Sequence, residues 1–135
     1  MQSPLPVQQV VDQWLAWAAW QSDPANQGRQ NGELIGFDEF DWIVRKHPEH
    51  AWQCILATVA DPRAEPFLGL LAAGPIEDLL GYHGHAFIER VEREARQSPR
   101  FAWTLGGVWQ CQMTEEIWQR VQLVWDRRGW DGIPT

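Results

Sequence analysis

Along almost the whole chain, apolar residues recur at every third or fourth position, and this spacing restricts the fold class more than any other feature. Strand-like alternation and hairpin dipeptides are nearly absent. Prolines and glycines cut the pattern into short pieces. The expectation is an all-α protein of seven to eight short helices in stacked antiparallel hairpins. Such a chain forms a compact orthogonal bundle or a short α-solenoid-like array. No strict repeat is visible, so a true repeat protein is the alternative. With 135 residues the chain reads as a single helical domain, 1–135, long enough to bury a core without disulfides or metal.

The first helix is expected from Pro6 to Gln21, with Val7, Val10, Val11, Trp14 and Ala18 on its core face. Trp20 falls on the opposite, polar side. Residues 22–32 are rich in Pro, Gly and Asn and read as a loop. A second helix spans Asp38 to Lys46, with Phe37, Phe40, Ile43 and Val44 as its apolar side. Pro48 stops it and opens a third helix. Ala51–Ala60 is apolar nearly all round, which places it centrally. A short helix over Ala64–Ala73 is expected to break at Gly74-Pro75. The next begins at Pro75 and ends where Gly81 and Gly84 bracket Tyr82-His83. Further helices run from His85 to Gln97, with Glu89–Arg93 and Glu92–Arg96 at pairing distance, and from Arg100 to Leu105. The last starts at the Thr114 cap and closes at Arg127, Arg128 and Gly129, leaving residues 130–135 as a loose tail.

Composition narrows the function classes. Eleven basic residues face eighteen acidic ones, a net charge of −7. Nucleic acid and anionic membrane surfaces both require basic clusters, so neither is expected as a partner. The imbalance is concentrated. Residues 1–43 hold six acids (Asp12, Asp23, Glu33, Asp38, Glu39 and Asp41) against the single base Arg29, whereas the rest is nearly balanced. A charged partner would therefore be basic and would meet the N-terminal third, unless the acids only solvate the surface. Ten tryptophans are the other unusual feature. They can fill a helical core, or stand exposed as binding anchors. The stretch after Met1 has neither the basic start nor the apolar core of a secretion signal, and no apolar run is long enough to span a bilayer. Cys54 and Cys111 alone make no disulfide framework, so a cytoplasmic location with reduced thiols is expected.

The segment Leu70–Gly84 is the densest in reactive groups. Glu77, Asp78, Tyr82 and His83, with His85, would have to converge in a dry pocket to act as acid and base. The competing account is structural: Glu77 and Asp78 would cap a helix start at Pro75, and the histidines would flank a helix break. Neither His83-Gly84-His85 nor His47-Pro48-Glu49-His50 has the spacing of a zinc helix, so no metal and no cofactor are expected. Cys54 lies in the most apolar helix, where burial raises a thiol pKa and leaves it inert. Cys111, in a turn after Trp109-Gln110, is the more accessible thiol. The remaining candidate is a surface built from Trp20, Asp38, Glu39, Asp41 and Trp42. It offers indole anchors ringed by carboxylates, suited to a basic protein.

The run Leu71-Ala72-Ala73-Gly74-Pro75-Ile76-Glu77-Asp78-Leu79-Leu80 is followed by Phe87-Ile88, Val91-Glu92, Ala95-Arg96, Pro99-Arg100-Phe101 and Leu105-Gly106-Gly107-Val108-Trp109. Together these resemble the signature of an uncharacterised bacterial helical domain family. The resemblance covers a little over a third of the chain. It implies a helical bacterial protein of unknown activity and transfers no catalytic residue. A more general likeness links the chain to small, acidic immunity proteins that neutralise a toxin.

The first functional expectation is thus a cytoplasmic protein-binding domain and not an enzyme: an immunity protein or antitoxin that occludes the active site of a basic toxin or effector. The alternatives are a small enzyme using Glu77, Asp78, His83 and His85, or a structural subunit of a larger bacterial assembly that would expose a broad apolar patch.

Overall fold

A computed structural model describes residues 3–28 and 36–130. The later part of the expected 22–32 loop, the charged residues Arg29 and Glu33, and positions 131–135 of the expected tail lie outside the described residues. Among the described residues there is no strand, and the protein is all-α as periodicity predicts. The chain divides into two compact units, Met1–Phe67 and Leu68–Thr135.

In the first unit, α1 (Val7–Ser22) and α2 (Gly36–Lys46) form an antiparallel pair. Trp14 meets Phe40 edge-on at 6.2 Å, and Trp17 meets Phe37 at 5.1 Å, so the two helices count in opposite directions. Gly36 permits the approach: a Cβ there would collide with the Gln13 carbonyl, so no side chain fits. The third helix, α3 (Pro48–Ala60), packs against both and contributes the buried Ala51, Trp52, Cys54, Ile55 and Val59. A 3₁₀ segment, Pro62–Phe67, follows. Its Arg63 guanidinium bridges Asp61 at 2.7 Å and Asp12 of α1 at 2.8 Å.

In the second unit the chain stays coiled where a break is expected. The short α4 (Leu68–Leu71) passes through a π-helical segment, Ala72–Ile76, directly into α5 (Glu77–Gln97). Proline lacks an N–H, and the wider π turn accommodates Pro75 without ending the coil. The second expected break, at Gly81–Gly84, is only a kink. His83 leaves helical geometry (φ −134°, ψ 31°) and the helix resumes. Gly84 is small for packing: a Cβ there would lie 3.1 Å from Ile117, on a helix that leans against α5. The next helix, α6 (Pro99–Leu105), begins with Ser98 accepting the Phe101 N–H, and α7 (Glu115–Val124) begins with Thr114 accepting that of Ile117. The last helix stops three residues short of Arg127. The Asp126 N–H donates to the Ala102 carbonyl, and Arg127 Nη1 donates to that of Gly106 at 2.5 Å. The chain thus leaves the helix to pair with α6. Glu92 also chooses a tertiary partner, forming two bonds to Arg120 of α7 at 2.6 and 3.0 Å.

The indoles are mostly not core. Trp14 and Trp52 are buried, while the other eight keep part of their surface in water. Trp130, expected to begin a loose tail, is pinned instead. It stacks 4.5 Å from Trp103, donates Nε1–H to the Trp103 carbonyl at 2.9 Å, and lies over Gly106 and Gly107.

Candidate functional site

The residues expected to form a docking surface lie on α1 and α2. On α2, Gly36, Phe40, Ile43 and Val44 are buried. Helical spacing then directs Asp38, Asp41, Trp42 and Arg45 away from the core, with Glu39 at the margin. Asp38 is exposed, and Glu39, Asp41 and Trp42 are half-buried. Arg45 sits within this face and pairs with Asp41 at 3.2 Å, so the face is less negative than its acids alone suggest. Trp42 meets His47 edge-on at 4.9 Å, which braces the indole at the end of α2. Trp20 shares a flank of α1 with Trp17, and its carbonyl accepts from Asn26 Nδ2 at 3.1 Å. The structure thus gathers Asp38, Asp41 and Trp42 on one face and leaves Trp20 on another helix.

By spacing alone, one residue of this face belongs to the apolar side of α2. Phe37 is 45% exposed and lies over Trp17. It follows the buried Gly36 by one position, a turn of roughly 100° that carries it to the rim. The face therefore has an aromatic ring at each margin, Phe37 and Trp42, with Asp41, Arg45 and Asp38 between them.

The expected acid–base quartet does not converge. His85 is exposed, and a shallow depression holds His83, His85 and Tyr82 without Glu77. Glu77 is buried at 8% exposure and caps no helix start, because the coil runs through it. Its Oε2 instead accepts the backbone N–H of Trp109 at 3.1 Å, and its carboxylate also accepts from the Cys111 thiol. Burial pushes the Glu77 carboxyl above its ordinary range, against the lowering effect of these two donors. The same hydrogen bond raises the Cys111 thiol. Cys111 is exposed and adopts a left-handed backbone, φ 46°. Glu77 thus anchors the 108–113 connection onto α5. The Gly-Pro-Ile-Glu-Asp run and the Leu-Gly-Gly-Val-Trp run, thirty residues apart, meet at this one hydrogen bond. No sequence signal separates that role from helix capping.

The two thiols differ as expected. Burial pushes Cys54 up to about 12, where it is inert, and Cys111 faces solvent. The histidines that flank Pro48-Glu49 make local contacts. A His50 ring nitrogen lies 2.7 Å from the Leu5 carbonyl, and His47 meets Trp42 edge-on. Among the described residues no group of His, Cys, Asp and Glu is placed to hold a metal ion. No helix among them is long and apolar enough to cross a membrane.

The chain matches no curated protein and no solved structure. A family model does match residues 25–129, which include α2, α3 and the Glu77–Trp109 crossing. That span is well over half of the sequence, and the chain belongs to this family of unknown function, DUF6869.

Proposed function

We propose that the chain is a protein-binding domain that presents the outward face of α2 to a basic protein. In finer terms it is an immunity protein or antitoxin, and it blocks a toxin by filling a cationic cleft. The observation that carries this reading is the composition of that face. Phe37, nearly half exposed, and Trp42 flank the carboxylates of Asp38 and Asp41. Exposed aromatic rings are the side chains that most often dominate protein interfaces, and carboxylates beside them select a partner by charge. Trp20 extends the surface on α1.

The mechanism is occlusion. The acids speed encounter with a basic cleft, the rings exclude water on contact, and the substrate of the blocked protein is kept out. No chemistry is asked of the chain. The test compares proteins captured from the native host by the wild type and by a D38K/D41K variant. The expected result is one basic protein retained by the wild type and lost from the variant. Its association with the purified wild-type chain should slow steeply as salt rises. Indistinguishable capture by both chains, or a captured partner indifferent to salt, overturns the reading.

A further inference from the structure

A second concave feature lies entirely within Leu68–Thr135. It is a cleft of about 380 Å³ walled by Trp109, Trp118 and Trp125, with Cys111, Gln122 and Arg127 among its polar lining. Its size and its make-up, three indoles and a valine beside a few polar groups, match those of small-molecule sites. The walls are held in place before any ligand arrives. Glu77 fixes the Trp109 backbone from behind. Trp118 and Trp125 meet nearly perpendicular, 88° at 5.3 Å, and make a concave corner. Arg127 is locked twice, by its bond to the Gly106 carbonyl and by lying 5.0 Å from the centre of the Trp125 ring. Such pre-ordering lowers the entropic cost of binding.

Among the described residues, Arg127 is the one ionised group in that lining. Among the described residues its bonds go to a carbonyl and a ring, and no carboxylate pairs with it. A guanidinium with spare donors in an indole-walled cleft is complementary to an anion carried on a flat ring. We propose that this cleft binds a small aromatic carboxylate, the ring packed into the indole corner and the carboxylate on Arg127. The site is independent of the α2 face.

The test uses 2-naphthoate and the uncharged 2-naphthalenemethanol as probes, with calorimetry for affinity and ligand-observed NMR for contact. The expected result is saturable naphthoate binding at least tenfold tighter than that of the alcohol. Arg127→Gln should erase this preference and Arg127→Lys should keep most of it. Because Arg127 also braces the end of α7, Gln122→Glu provides an independent check: Gln122 is exposed, so the change leaves packing intact. It should weaken naphthoate about tenfold and leave the alcohol unaffected. Equal affinity for both probes, no saturable binding of either, or a preference for naphthoate that survives Gln122→Glu would each overturn the proposal. So would much tighter binding of a peptide ending in tryptophan, which would make the site a reader of protein termini.

Discussion

In Met1–Phe67 the ion pairs sit at the surface and the interior is closed by helix on helix: Trp14 on Phe40, Ile43 and Val44 beneath α1, Ala51 and Ile55 in the centre. In Leu68–Thr135 polar groups bind irregular backbone from within. Glu77 takes the Trp109 N–H, Trp130 gives its N–H to Trp103, Trp103 gives its own to Arg128, and Arg127 reaches Gly106. The difference follows from the connections. In the first unit α2, α3 and the 3₁₀ segment follow one another through the single residues His47 and Asp61, whereas the 106–114 connection and the 125–130 segment leave backbone groups that side chains help to satisfy. Packing periodicity specifies the first kind of unit, and individual hydrogen bonds specify the second.

The largest effect that would sharpen this contrast is the loss of a core indole. Trp14→Ala should cost about 3–5 kcal/mol in urea unfolding, because the ring is fully buried and leaves a cavity. Trp130→Ala, at a half-buried plug, should cost about 2 kcal/mol. If Trp130 proved the costlier of the two, the first unit would not be the one that depends on packing. Next comes Glu77. Glu77→Leu leaves the Trp109 N–H without its acceptor and should cost about 1–3 kcal/mol. Glu77→Gln keeps an acceptor and instead alters the pH response. The native carboxyl is raised above its ordinary value of 4.5, so the folded state holds its proton longer than the unfolded state does. Its contribution is therefore fully present below pH 4.5 and is lost as pH rises through the raised folded value. The stability of wild type relative to Glu77→Gln should fall across that interval. A flat difference between pH 4 and 8 would show that burial does not govern this group. The smallest effect belongs to Arg63→Ala. The guanidinium is exposed and so is Asp12, with only Asp61 partly covered, and the variant should melt within scatter of the wild type at physiological salt. A clear loss would place a polar interaction at the heart of the first unit and erase the contrast.

How much was legible in the sequence follows the same division. The spans of α2 and α3, the Ser98 and Thr114 ends of helices and the inert Cys54 could be read from spacing, prolines and caps, because local rules determine them. Phe37 departs from its expected side because a residue at the edge of an apolar stripe can turn either way, and only the close approach at Gly36 decides which. In the second unit the departures fall at local break signals. Gly74-Pro75 looks like a stop, Gly81 and Gly84 like a helix end, Arg127-Arg128 like a final turn, and Trp130 like a tail. At Gly74-Pro75 the local wide turn absorbs the proline, and at the other three a distant partner overrides the local signal: Ile117 against Gly84, Gly106 on Arg127, Trp103 on Trp130. Of the surface site, the grouping of Asp38, Asp41 and Trp42 was readable at helical spacing. Arg45 lies four residues after Asp41, at pairing distance, and its charge offsets the acids of that face.

The wide turn at Ala72–Ile76 has a further consequence. There the Glu77 N–H reaches back five residues to the Ala72 carbonyl, so the coil holds one residue more than a regular helix would. Everything downstream is rotated by roughly 100° relative to an uninterrupted α-helix. That phase shift aims Glu77 at the backbone of Trp109. Shortening the Ala72-Ala73 pair by a single alanine would leave every side chain of the unit's polar clasp intact in identity while turning its carboxylate away. The clasp is thus written in the length of the chain as much as in its letters.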